Sequence, residues 1–250
     1  MKLTILGSGV MSPTIERNPS GFLLEIGQKK ILLDCGFGTI RRLTDYGYNI
    51  GDIDYIFLSH HHIDHAGDAF NFIQARFVQE MLFNKPPRPL SFIAPPGTGG
   101  KFHQWRQLFW LEPNEDPQVK FIEAGQEIKI GEIRLDPFPT VHVPWLKSQG
   151  IIIRYQRKKL VYTGDLGSHH NLNNLIDISR RADLFITEAG GAKKSSNHLT
   201  FKQAYTVAKV ARVKKFLVTH VHPRKLDLVA KKCAAEANFI LAKDSQILKI

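Results

Sequence analysis

Four short runs constrain the fold of this chain more than any other feature. YIFLSH, KLVYTGD, DLFITE and KFLVTH are apolar, partly β-branched and of strand length. Each ends in a residue that can bind metal or protons: His60, Asp165, Glu188 and His220. Strands apolar on both faces belong in a sheet that is covered on both sides. In layered α/β folds, ligands collect beyond the strand ends. The four polar termini are therefore expected to converge on one edge of a packed α/β core.

Other segments fit the same class. KLTILGSG reads as a strand, and FLLEIGQKKILLDCG as a hairpin turning at Gly27-Gln28-Lys29-Lys30. GDAFNFIQARFVQEMLF has apolar residues at helical spacing. TFKQAYTVAKVARV opens with a capping box, Thr200 as N-cap and Gln203 three residues later. Phe201, Ala204, Tyr205, Ala208 and Ala211 form its apolar stripe. LDLVAKKCAAEA reads as a third helix. Pro86-Pro87, Pro89 and PPGTGG (Pro95–Gly100) mark loops. No low-complexity linker or tandem repeat interrupts the chain, so residues 1–250 are expected to form one α/β domain with mixed sheets and outer helices.

Composition narrows the function classes. The chain has 250 residues, 43% of them apolar, enough for a core without disulfides. Its two cysteines, Cys35 and Cys233, imply no disulfide framework and suit a reducing compartment. The apolar start MKLTIL is too short for a signal peptide, and no run reaches the length of a membrane span. A soluble cytoplasmic protein without membrane partners is expected. The formal net charge of +11 favours anionic partners. The basic residues form short groups, such as Lys29-Lys30, Lys193-Lys194 and Lys214-Lys215, as on a folded surface.

The segment His60 to His65 holds four histidines and one aspartate in six residues. It is internal and follows a buried-looking strand, which excludes a tag. Imidazole nitrogen and carboxylate oxygen suit zinc, manganese or iron in a partly open site. Strand alternation puts His60 and His62 on one side, with His61 pointing away. Asp64 and His65 follow where the chain turns into a helix and could face a second ion, about 3.5–4 Å from the first. The remaining ligands must come from distant segments. His142, Asp165 and His220 are the candidates, with Asp165 suited to touch both ions. His222 competes with His220, which is preferred for its place at a strand end. His169 and His170 are read as solvent-facing in a polar loop, and His103 as packed in a helix.

His60-x-His62-x-Asp64-His65, then His142, Asp165 and His220 in that order, resemble the metallo-β-lactamase superfamily over nearly the whole chain. The resemblance implies a four-layer αββα sandwich of two mixed β-sheets, with two divalent metal ions, zinc or manganese before iron, at one edge. His60, His62 and His142 would hold one ion, and Asp64, His65 and His220 the other, with Asp165 between. Asp34 in LLDCG matches a position that supports a ligand by hydrogen bonding. A homodimer would accord with the resemblance.

Two further elements are similar to the ribonuclease Z branch. Glu188 in ADLFITEAGG matches the glutamate of that branch's His-Glu-Ala-Thr element, although Thr187 stands in place of its histidine. His198 in NHLTFKQAYTVA matches the histidine of its His-Ser-Thr segment. The short stretch between His142 and Asp165 reads as a hairpin, GIIIRYQRKKLVY, and leaves no room for the branch's transfer-RNA-gripping arm. The chain is therefore similar to arm-less phosphodiesterases such as the cyclic phosphodiesterase of phosphonate breakdown. The resemblance implies a metal-dependent hydrolase of small nucleotide or cyclic phosphodiesters, with RNA as a further substrate class. Asp64, His198 and Glu188 are the candidate catalytic residues. Metal-activated hydroxide would attack, and His198 would protonate the leaving oxygen with Glu188 orienting it. Two alternatives stand beside this reading. One is a thioester or lactone hydrolase of the same superfamily, and the other a non-catalytic RNA- or metal-binding module.

Overall fold

The first hairpin forms because Leu23, Leu24, Ile26, Ile31, Leu32 and Leu33 are all fully buried, on alternating faces of one ribbon. In the computed structural model, which describes residues 1–109, 117–123, 125–191 and 197–250, this ribbon is β2 (Gly21–Ile26) and β3 (Lys29–Leu33) behind β1 (Lys2–Gly7). The basic pair Lys193-Lys194 lies outside the described residues. The chain continues through α1 (Thr39–Asp45), β4 (Tyr55–Phe57), the single turn α2 (Ile63–Ala66) and α3 (Ala69–Leu82). Next come β5 (Leu90–Ala94), α4 (Thr98–Phe109), β6 (Val119–Glu123), β7 (Ile128–Ile130), β8 (Ile133–Thr140), β9 (Ser148–Tyr155) and β10 (Lys158–Tyr162). It ends with α5 (Leu172–Ser179), β11 (Leu184–Ala189), α6 (Phe201–Val210), β12 (Phe216–Val221), α7 (Leu226–Ala234), β13 (Phe239–Leu241) and β14 (Ile247–Lys249).

The strands form two seven-stranded sheets, in the orders β14-β1-β2-β3-β4-β5-β6 and β13-β12-β11-β10-β9-β8-β7. Both are mixed. In the first sheet, β14 through β3 pair antiparallel and β3 through β6 parallel. In the second, β7 through β10 pair antiparallel and β10 through β13 parallel. Three apolar clusters separate the layers. Leu3, Ile5, Phe22, Ile151, Leu160 and Leu217 belong to one that joins the two sheets. Phe72, Ile73 and Phe102 seat α3 and α4 on the first sheet. Leu175, Ala204, Val207 and Val229 seat α5, α6 and α7 on the second. The result is the expected αββα sandwich.

The capping box at Thr200 is present, with each partner's side chain bonded to the other's backbone. Ala204, Ala208 and Ala211 are buried as expected, but Phe201 and Tyr205 are only half-buried. PPGTGG is not wholly a loop, because Thr98, Gly99 and Gly100 form the first turn of α4. Cys35 and Cys233 are buried and unpaired. No described helix is long and apolar enough to cross a membrane.

Candidate metal centre

The site lies where the parallel strands of both sheets end. Asp34 follows β3, residues 58–65 follow β4, Asp165 follows β10, and Glu188 and His220 occupy the last turns of pleat in β11 and β12. His142 lies in the loop between β8 and β9. Two of the four apolar runs, those of Glu188 and His220, deliver their polar residues within the strand itself. His60 and Asp165 sit three residues beyond their strands and not directly at the ends.

Ligand atoms of His60, His62 and His142 lie within 4.8 Å of one another, as do those of Asp64, His65 and His220. All of these side chains are buried except His62, which is half-buried at the mouth. Asp165 stands between the two groups. Its Oδ1 is 3.4 Å from His65 Nε2, and its Oδ2 is 3.7 Å from His220 Nε2 and 3.9 Å from His142 Nε2. His61 points away and meets Thr98 Oγ1 at 2.8 Å, as alternation predicts. Burial, then Lys101, holds its imidazole down at about 4.

Hydrogen bonds behind the cluster fix which nitrogen each imidazole presents. Ser59 donates its hydroxyl proton to Asp34 Oδ2 at 2.8 Å, so it can only accept from His60 Nδ1 at 2.9 Å. His65 Nδ1 donates to Asp34 Oδ2 at 2.6 Å, and His142 Nδ1 to the Asn197 carbonyl at 2.7 Å. In all three the Nε2 lone pair is thereby aimed into the site. His62 Nδ1 lies 3.0 Å from His60 Nε2 and 3.2 Å from His142 Nε2. It has at most one proton to give, so acceptors crowd together there. His65 Nε2 and Asp165 Oδ1 are buried without a hydrogen-bond partner. Converging, unsatisfied nitrogen and oxygen acceptors are what a divalent cation requires. The residues fit a metal site.

The charges agree. Burial opposes ionisation of Asp165, but His220 and His65 beside it hold its carboxyl well below the usual range. Burial also opposes a cationic His65, but Asp165 and Asp34 prevail and raise it well above an ordinary histidine. A site that collects protons in this way can exchange them for metal.

Asp34 is fully buried and accepts from the Ser59 backbone and hydroxyl, His65 and, at 2.5 Å, the Tyr162 hydroxyl. The sequence points to Asp34 but not to Ser59 or Tyr162, which only the fold brings to it. Gln149 is likewise buried, and its side-chain amide donates to the Leu58 carbonyl at 2.9 Å, bracing the histidine loop.

His198 and Glu188 meet beside Asp165. His198 Nδ1 is 3.3 Å from Glu188 Oε1 and 3.6 Å from Asp165 Oδ2. Burial works against its cation, but Glu188 and then Asp165 outweigh this and raise the imidazole to about 9. Glu188 also accepts backbone N–H groups from Leu166, Leu199 and Gly190, at 3.2, 2.9 and 2.5 Å. It ties the loop after β10 to both ends of the loop between β11 and α6. Thr187 turns from the site and accepts a hydrogen bond from Thr163 at 2.8 Å.

The other histidines divide differently from expectation. His222 caps the short turn Pro223–Lys225 and lies at the rim of the cleft, outside both groups. His169 is exposed as expected, but His170 is buried, where its Nδ1 accepts from the Val141 backbone at 3.3 Å. It folds back beneath the loop that carries His142, which a polar sequence context does not reveal. His103, expected to be packed, is exposed on α4, because the Phe102 and Trp105 side of that helix takes the interior. The cleft over the cluster has a volume of about 770 Å³ and is lined by His62, Asp64, Asp165, His198, His220 and Arg224, among others.

Comparison with known proteins places this geometry. A family model described as the beta-lactamase superfamily domain matches residues 29–221. Ribonuclease Z of Archaeoglobus fulgidus is 25% identical, over 100% of this chain and 97% of the relative. Ribonuclease Z of Haloferax volcanii is 25% identical over 90% of this chain and 85% of the relative. Among solved structures, human tRNase Z, short form, superposes with a TM-score of 0.80 at 22% identity, covering 100% and 99% of the two chains. A diphosphatase of the PhnP family superposes with a TM-score of 0.74 at 18% identity, covering 100% and 97%. The αββα layers, the edge cluster and the family match agree, and the chain belongs to the beta-lactamase superfamily.

Proposed function

We propose that the protein is a metal-dependent phosphodiesterase. The observation that carries this reading is the His198–Glu188 pair set beside Asp165, within the same cleft as the two ligand groups. His60, His62 and His142 would hold one divalent ion, zinc or manganese, and Asp64, His65 and His220 a second, with Asp165 shared. Such ions supply Lewis acidity toward phosphoryl oxygens and lower the pKa of water to about 7.

The chain's own residues supply the rest. His198 Nδ1 is buried against Glu188 and Asp165, so Nε2 is the nitrogen left for the cleft. Protonated at neutral pH, it would give its Nε2 proton to the leaving oxygen as water attacks phosphorus and the P–O bond breaks. Glu188 holds the imidazole and the loop before α6 by charge and by its three backbone bonds. Asp64 lines the cleft and would orient the attacking water.

The relatives' names favour the phosphodiester over a thioester or lactone, and a non-catalytic module accords poorly with a complete donor set. Substrate size remains part of the proposal. The alignment with the Archaeoglobus enzyme runs over 313 positions, longer than this 250-residue chain, so that relative carries insertions this chain lacks. The hairpin Ser148–Tyr155 and Lys158–Tyr162 turns over two residues and holds no arm. Both features suit small phosphodiesters as well as RNA. A cytoplasmic location and a homodimer remain proposals of the same kind.

The test is a rate comparison on a phosphodiester, a glutathione thioester and a lactone. The phosphodiester should turn over fastest by a wide margin. His198→Ala should lose roughly 10²–10⁴ in kcat with metal content unchanged, and lose least on a substrate with an acidic leaving group. A full rate on a poor leaving group would remove His198 from its role.

A further inference from the structure

A second groove runs behind the cleft, between α6 and α7. Its volume is about 620 Å³, and its walls include Phe201, Lys202, Tyr205, Lys225 and Lys232. It is separated from the cleft by a wall one residue thick in two places. Gly190 lines the cleft while Ala189 and Gly191 line the groove, and Arg224 lines the cleft while Lys225 lines the groove. Among the described residues, Lys202, Lys225, Lys232 and Arg224 make no ion pair through their side chains. The acidic wall residue, Glu236, is already engaged by Lys209 at 3.2 Å and by the Tyr205 hydroxyl at 2.7 Å.

Cations without ion-pair partners on both sides of this wall, on a chain of net charge +11, call for a polyanion that crosses over it from the cleft to the groove. Phe201 and Tyr205, left half-buried on the inner stripe of α6, offer aromatic faces in the same groove. Lysines that track a backbone and aromatic rings that take bases are the means by which proteins hold single-stranded nucleic acid. We propose that the α6–α7 groove binds the nucleotides flanking the scissile phosphate of a single-stranded RNA. This rests on the phosphodiesterase reading for what happens in the cleft, but not for binding in the groove. An acidic peptide would meet the lysines and leave the rings unused.

The experiment measures binding of a fluorescein-labelled RNA 12-mer with phosphorothioate linkages, which keep each negative charge but slow hydrolysis at phosphorus, to metal-loaded protein by anisotropy at several salt concentrations. The variant K202Q/K225Q/K232Q, shown to be folded by its melting curve, should lower the slope of log K against log salt by about 2, or about a hundredfold in affinity at 0.1 M salt. K225Q alone should lower the slope by about 0.7. Wild-type protein should also cleave an unmodified 12-mer with higher kcat/KM than a dinucleotide, and the triple variant should lose that advantage. Unchanged slopes in both variants would overturn the proposal, as would equal competition by an oligoglutamate of the same charge. RNA binding with the predicted slopes but no cleavage of any phosphodiester would leave the groove standing and remove the catalytic reading instead.

Discussion

Asp34 shows how much one side chain can organise. It has a left-handed backbone, φ 57°, and gathers Ser59, His65 and Tyr162 on one buried carboxylate. It therefore sets the tautomer of His65 directly and that of His60 through Ser59. Asp34→Asn keeps the size but replaces an acceptor oxygen with a donor that faces other donors. We expect metal affinity to fall roughly 10–100-fold, measured by metal content after dialysis against a buffered chelator, with far-ultraviolet circular dichroism unchanged. Retention of full metal content would show that His65 needs no such partner. The sequence makes Asp34 visible because LLDCG matches a supporting position of the superfamily. Ser59, Tyr162, Gln149 and His170 carry no such mark. Each is one ordinary residue whose role arises from contacts across tens to over a hundred positions of chain, beyond the reach of periodicity or spacing.

Among the elements, the turn after β3 is the most tightly specified. An added Cβ at Gly36 would meet the Asp64 carbonyl oxygen at 2.2 Å, and that oxygen already accepts from the Ser20 backbone at 3.0 Å. Gly36→Ala must therefore push α2 away, and Asp64 and His65 with it. Loss of metal and a lower melting temperature are both expected, by calorimetry and metal analysis. A variant with wild-type metal content would show that α2 has room to move. Elements with a local cause were legible in the sequence. The capping box set the start of α6, and the alternation of the first hairpin set β2 and β3. Elements whose cause is tertiary were not. PPGTGG looks like a loop because two glycines in a helix cost stability, and α4 forms there because Phe102 and Trp105 pack onto Phe70. The same limit affected α6, where Phe201 and Tyr205 match the helical stripe yet border an open groove.

At the scale of the whole molecule, the two sheets meet at an edge where buried carboxylates and imidazoles from both are held a few ångströms apart. Those groups are costly to bury without a counter-charge. The metal should therefore bind the folded chain far more tightly than the unfolded one and stabilise it by linkage. Prolonged dialysis against a strong chelator should lower the melting temperature, and zinc or manganese should restore it in a concentration-dependent way. An identical melting temperature with and without metal would mean that the cluster is not a cation site. The order of His60, His62, Asp64, His65, His142, Asp165 and His220 made the fold legible from sequence through its resemblance to the superfamily, with His60, Asp165 and His220 read at the ends of apolar runs. Which substrate enters the cleft was not legible, because the lining from Arg224 and the α6–α7 side is assembled only by folding.

The most direct test of a metal-dependent phosphodiesterase is hydrolysis of bis(p-nitrophenyl) phosphate by protein reconstituted separately with zinc and manganese, beside the His65→Ala variant. Turnover that requires metal, and that disappears with His65, is the predicted result. Protein shown to hold its metal but inactive toward the diester with either ion would contradict the account.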